Sequence, residues 1–160
     1  MTVVLLIALA SAPALQSPRP AENVLERLAT CQDSWRDWRD DPAQTKKMAE
    51  LFNSTFDSPA NDGSFAPKQK TQVVGLPVAQ VYPESVGMGV GFSVVLDASF
   101  DEARAHVEKA VGKALGSCEH GDGMQTCGLE IAKERTITLM AAEHDTKKRT
   151  LLGCYYFYAK

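Results

Sequence analysis

The side chains best able to do chemistry in this chain are four cysteines, Cys31, Cys118, Cys127 and Cys154, and three histidines, His106, His120 and His144. Cys118, His120 and Cys127 supply three potential zinc ligands, but no fourth stands at a usual spacing, so a tetrahedral site is not expected. Glu119 and Asp122, in the same stretch, do not match a calcium-binding loop. In an exported chain four cysteines are most simply two disulfides, for which three pairings are possible. The pairing expected here is Cys118 with Cys127, closing the polar run GSCEHGDGMQTC, and Cys31 with Cys154, tying the first helix to the last strand. No thiol is then left free.

The histidines carry weaker signals. His106 follows Glu102 by one helical turn and reads as a solvated pair. His120 lies between Cys118 and Cys127, and His144 sits between Glu143 and Asp145 in an expected turn. A hydrolytic site needs a nucleophile, a base and an oxyanion donor brought together. Ser93 stands on a strand without a G-x-S-x-G elbow, so nothing marks it as activated. Gly87-x-Gly89-x-Gly91 is not G-x-G-x-x-G, and it leads into a strand instead of out of one into a helix. No Walker A sequence is present, and no cofactor is expected.

Gly87, Gly89, Gly91 and Ser93 form one almost bare face of a strand whose other face holds Met88, Val90, Phe92, Val94 and Leu96. Glycines let another group approach the backbone closely. Either Trp35, Trp38 or the second helix packs there, or the face is a smooth groove for a ligand or partner. Trp35 and Trp38 fit a buried stripe, and in Trp35-Arg36-Asp37-Trp38-Arg39-Asp40 a partner surface is the sharper alternative.

Compartment follows from the first residues. Residues 3–15 are uncharged and apolar and contain Ala12-Pro13-Ala14, a small-x-small cleavage pattern. The run is too short to span a bilayer and has the size of a signal-peptide core, although no Lys or Arg precedes it. Residues 1–14 are read as a signal peptide, 15–20 as a linker and 21–160 as one domain, exported to a periplasm or secreted. Leu28-Ala29-Thr30-Cys31 resembles a lipobox, but Arg19, Glu22, Glu26 and Arg27 precede it where an apolar run is required, so no lipid anchor is expected. With a net charge of −3 and no clustered Lys or Arg, neither nucleic acid nor, after signal cleavage, a membrane is the expected partner.

A helical pattern from Ala21 places Val24, Leu25, Leu28, Cys31, Trp35 and Trp38 on one stripe. Asp41, Pro42 and Gln44 start a second helix with Met48, Leu51 and Phe52 buried. Residues 53–71 read as a long polar loop, the expected mobile segment. Asn53-Ser54-Thr55 within it is a glycosylation sequon, meaningful only in a eukaryotic host. Residues 72–82 are extended and broken by Pro77. Ser99 caps a helix carrying Phe100, Ala103, Val107, Ala110, Val111 and Ala114, with Gly116 as its stop. Three later strands, around Leu129 and Ile131, Thr136 to Met140, and Thr150 to Tyr158, make an antiparallel meander.

The expected fold is α+β: two N-terminal helices and one internal helix on a mainly antiparallel sheet of about four to five strands. The expected function is a non-catalytic exported binding protein, an inhibitor or envelope accessory factor, contacting a protein or small-molecule partner through residues 53–71 and 119–126 or through the glycine-lined face. Two alternatives stand beside it: a small exported hydrolase, and a structural subunit of an envelope assembly.

Overall fold

In the computed structural model the described residues are 20–85 and 90–156. The signal peptide and most of the linker, and Gly87, Met88 and Gly89 of the glycine-rich strand, lie outside them. Four helices are described: α1 (Pro20–Ala29), α2 (Trp35–Asp40), α3 (Pro42–Thr55) and α4 (Phe100–Val111). Seven strands accompany them: β1 (Gln72–Val73), β2 (Leu76–Ser85), β3 (Val90–Leu96), β4 (Glu119–Gly121), β5 (Met124–Ala132), β6 (Arg135–Ala142) and β7 (Thr150–Tyr156). The strands form one sheet in the order β1-β2-β3-β7-β6-β5-β4, and every pairing is antiparallel.

The fold is α+β with β5, β6 and β7 as a meander, but it has more strands and one more helix than expected. The additional strands come from two-residue hairpin turns. Val74 and Gly75, at φ 49° and 80°, fold β1 onto β2, with Val73 opposite Leu76. Asp122 and Gly123, at φ 53° and 71°, fold β4 onto β5, with Gly121 opposite Met124. Paired positive φ values match the right-handed twist of the flanking strands, which is why Asp-Gly serves there. Val74 is a harder case, because a β-branched residue is disfavoured in the left-handed region. Its peptide groups are held from two sides: Glu26 Oε2 accepts from its N–H at 2.8 Å and His106 Nδ1 donates to its carbonyl at 2.9 Å. His106 therefore partners the β1–β2 turn, not Glu102.

The single first helix expected through Trp38 is two helices. At the end of α1 the Thr30 hydroxyl donates back to the Glu26 carbonyl at 2.7 Å, and Cys31 turns to φ 57°. The Arg27 guanidinium reaches Asp33 at 2.6 Å across the break. Ser34 then caps α2, its Oγ accepting from Asp37 N at 3.1 Å. The apolar spacing runs through this break without a phase change, so periodicity alone cannot reveal it. The turn at Cys31 is what brings its sulfur to Cys154. The last helix likewise stops early, at Gly112 in the left-handed region (φ 70°), four residues before the expected Gly116.

All four helices bury their apolar residues in one core. Phe92, Val94 and Leu96 of β3 lie opposite or beside Cys154 and Leu152 of β7, which lie opposite Ile137 and Leu139 of β6. These join Leu25 and Leu28 of α1, Trp35 of α2, Met48 and Phe52 of α3, and Ala103 and Val107 of α4 in a single cluster. Each fully buried Leu, Ile or Phe there contributes roughly 1.5–3 kcal/mol. Trp35 packs on Phe92 with ring centroids 5.5 Å apart. The Tyr156 hydroxyl accepts from the Trp35 backbone N–H at 3.0 Å, supplying a second cap to α2.

The connection after α3 is not a free loop. Phe65 exchanges two backbone hydrogen bonds of 2.9 Å with Val81, and Lys68 N donates to the Thr55 carbonyl at 2.9 Å. Phe56 and Ser64 are each 2% exposed, because this segment runs along the outer edge of β2 and adds Phe65 to the aromatic group of Phe52 and Phe56. The expected mobile segment is thus fastened to the sheet. Asp62 lies in its tip, where the Ser64 hydroxyl and backbone N–H hold its carboxyl below the usual carboxylate range. The sequon Asn53 is exposed in the last turn of α3.

Candidate functional site

The four cysteines pair as Cys31–Cys154 and Cys118–Cys127, with Cα atoms 5.1 Å and 4.3 Å apart. The two bridges sit in different surroundings. Cys31 is 1% and Cys154 0% exposed, so the first is sealed in the core between α1 and β7. Of the second, Cys127 is 1% exposed, whereas Cys118 is half-buried on the surface side. Cys118 and Cys127 extend the β4–β5 register by one position beyond Glu119 opposite Thr126, so this bridge clamps the open end of that hairpin.

The hairpin is held at its base by α4 and at its tip by the end of β6. Gly116 N donates to the Gly128 carbonyl at 2.8 Å, and Leu115 N donates to Glu108 Oε1 at 2.9 Å. The Arg104 guanidinium spans three groups: Glu108 Oε1 at 2.9 Å, Cys118 Sγ at 3.1 Å and the Leu115 carbonyl at 3.4 Å. Arg104 first, then the Leu115 N–H, hold the Glu108 carboxyl below its ordinary value. At the tip, Glu143 N donates to the Gly123 carbonyl at 2.8 Å. Residues 119–124 are exposed throughout, and among the described residues Met124, 37% exposed, is the large hydrophobic side chain left in solvent.

His120 and Glu143 converge: His120 Nδ1 lies 2.9 Å from Glu143 Oε1, with the two side chains 59% and 34% exposed. That is a base with an orienting carboxylate, two of the parts a hydrolytic site needs. Among the described residues no hydroxyl or thiol hydrogen-bonds His120, and the pair stands in solvent. His144 is exposed in the turn after β6. The described residues hold no cluster of three His, Cys, Asp or Glu side chains arranged to bind a metal.

The glycine-lined face is represented by Gly91 and Ser93. Gly91 lies opposite Tyr155, and a Cβ on it would run into the Cys154 carbonyl oxygen, with Tyr155 Cα only 2.9 Å away. Here glycine permits close approach of the neighbouring strand's backbone. Ser93 lies opposite Gly153, where a Cβ would stand 2.9 Å from Ser93 Cβ and 2.7 Å from the Tyr155 ring, so that ring occupies the space over Gly153. Ser93 and Tyr155 are 0% and 2% exposed, and the Ser93 Oγ makes no hydrogen bond among the described residues. Trp35 packs on Phe92, whose side chain is on the opposite face, so Trp35 is not what covers Gly91 and Ser93.

Sequence reasoning missed Arg104, whose helical position shows nothing of its reach to Cys118. It also missed the hairpin, although Asp122-Gly123 between two extended runs is a standard signal for one. Comparison of the chain with family models, with curated proteins and with solved structures yields no match in any of the three, and the reading of this site rests on its own chemistry.

Proposed function

We propose that this chain is an exported, non-catalytic binding protein, an inhibitor or envelope accessory factor, that docks on a protein partner through the hairpin of residues 119–126. The observation that carries this is the exposed Met124 beside the tip of a hairpin clamped by Cys118–Cys127 and pinned at both ends. A segment already fixed in one conformation loses little entropy on docking, which favours affinity per contact. Methionine is enriched at interfaces, and this exposed one lies opposite Gly121 in a hairpin whose other residues from 119 to 123 are polar or glycine, so an apolar contact stands among polar ones. The hairpin lies at the sheet edge, where among the described residues no further strand pairs with β4, which suits a protein surface as partner.

Export is supported by the two disulfides and by residues 1–14 as a cleaved signal, with residues 15–20 leading into the domain. No helix among the described residues is long and apolar enough to cross a membrane. Neither a cofactor nor nucleic acid enters the proposed activity. A hydrolase is the second reading: His120, oriented by Glu143 at 2.9 Å, would act as general base on a water molecule that attacks the substrate.

Site-specific photo-crosslinking in the source organism tests the proposal. A benzophenone side chain at Met124 or Asp122 should give one discrete protein adduct, and the same group at Lys109, exposed on α4, should give none. Equal adducts from both faces, or none from the hairpin, would refute it.

A further inference from the structure

We propose that Cys118–Cys127 is a thiol–disulfide exchange site, at which an external thiol meets Cys118 and the Arg104 guanidinium holds the Cys118 sulfur as thiolate. Three observations converge on it. Of the four bonded sulfurs, Cys118 belongs to the one residue that is not closed off, while Cys31, Cys127 and Cys154 are each no more than 1% exposed. Arg104 Nη1 points at that same sulfur from 3.1 Å. Thiolates are stabilised and thiols acidified by an adjacent cation, so the charge is placed where a reduced Cys118 would need it. Cys127, buried directly across the hairpin, is positioned to close the bridge again.

The exchange balances with a thiol as the sole co-reactant. The thiolate of one external thiol attacks Cys118 Sγ; the bond to Cys127 breaks, and the Cys127 sulfur leaves with the electron pair and takes up a proton. A second external thiolate then attacks the outer sulfur of the mixed disulfide. Cys118 leaves as the thiolate facing Arg104, and the external disulfide departs. Two external thiols are oxidised and one protein disulfide is reduced, with two electrons transferred. In the opposite direction Cys118 attacks an external disulfide and Cys127 resolves it. Since a lower-pKa thiol leaves faster, Arg104 assists the second step and shifts the equilibrium toward the dithiol.

Glu108 opposes this. Its carboxylate shares the guanidinium at 2.9 Å and also accepts from Leu115 N, so it draws off part of the charge that would otherwise serve Cys118. Arg104 and Glu108 come from α4; Glu119, the next residue after Cys118, is the acidic neighbour on β4. Opposite effects from changing Arg104 and Glu108 therefore distinguish a charge acting on sulfur from mere loss of packing. The inference does not depend on what the hairpin binds, and it gives the two bridges separate roles: Cys31–Cys154 fixed, Cys118–Cys127 exchangeable.

The test equilibrates the full chain in graded mixtures of reduced and oxidised glutathione, followed by acid quench, alkylation and peptide mass mapping. Cys118–Cys127 should open at ratios that leave Cys31–Cys154 intact. Arg104→Met should lower the exchange equilibrium constant about tenfold, equivalent to about 30 mV for a two-electron couple. Arg104→Lys should restore most of it, and Glu108→Gln should raise it. If Arg104→Met fails to fold, the alkylation rate of reduced Cys118 in Glu108→Gln decides, and should exceed that of the unaltered chain. Both bridges opening together, or the Arg104→Met and Glu108→Gln effects having the same sign or being absent, would overturn the proposal.

Discussion

Removing each bridge in turn separates their mechanical roles. Cys31–Cys154 closes a sequence separation of 123, Cys118–Cys127 one of 9. With the loop-closure expression for a cross-linked unfolded chain, these correspond to about 5 and about 2.6 kcal/mol at room temperature. The gap, about 2.3 kcal/mol, depends only on the ratio of the two separations, because the constant cancels. Burial acts in the same direction: Cys31 and Cys154 sit inside the core with Leu28, Phe92 and Ile137, so replacing them by Ala also removes packed sulfur, whereas Cys118 is partly in solvent. Guanidinium denaturation of the two double-alanine variants, without reductant, measures the difference. The Cys31→Ala/Cys154→Ala chain should lose at least about 2 kcal/mol more than the Cys118→Ala/Cys127→Ala chain. Equal losses, or a greater loss from opening the hairpin, would refute the assignment of the long bridge as the principal staple.

Gly91→Ala should destabilise by about 1–3 kcal/mol or more, because its Cβ meets the β7 backbone; Gly121→Ala, with nothing within 4 Å of the added Cβ, should be close to neutral. Thermal melts of the pair check both. Tyr156→Phe should cost about 1 kcal/mol by removing the acceptor for Trp35 N, read as a shifted denaturation midpoint with the disulfides unchanged. Folding lowers the carboxyl pKa of Asp62 through the Ser64 hydroxyl and N–H, and of Asp145 through the Lys147 and Arg149 N–H groups. Such groups add stability above the unfolded carboxylate value of about 4 and lose it as pH falls through the folded values. The melting temperature should fall between about pH 5 and pH 2, and Asp145→Asn should flatten that fall; a melting temperature that rises on acidification would contradict it.

Local chemistry at helix starts was legible. Ser99 and Asp41 cap α4 and α3 through their side-chain oxygens, as their sequence contexts indicate. The final meander was legible too, since Thr136-Ile137-Thr138-Leu139 alternates polar and apolar side chains and Leu151-Leu152 opens a second apolar run after a polar turn. What could not be read are features set by distant partners. The break at Cys31 hides under an unbroken apolar stripe because a residue on β7, far along the chain, dictates its turn. Gly112 and Gly116 are equally good helix stops in sequence, and Glu108 reaching back to Leu115 N accompanies the choice of the earlier one. Tyr155 and Tyr156 look alike, but β-strand alternation sends one over Gly153 and the other to the cap of α2. The site shows the same division: the Cys118–Cys127 loop was visible as a unit, while the Arg104 contact that gives it chemistry arises from tertiary packing of α4.

Export and maturation in an oxidising compartment, with both bridges formed, underlie both roles proposed for the hairpin. Intact mass of the protein recovered from its source, with and without reduction and alkylation, followed by disulfide mapping, tests this directly. The expected result is a mature chain starting at Leu15 with Cys31 joined to Cys154 and Cys118 to Cys127. A retained Met1 together with four alkylatable thiols would contradict it.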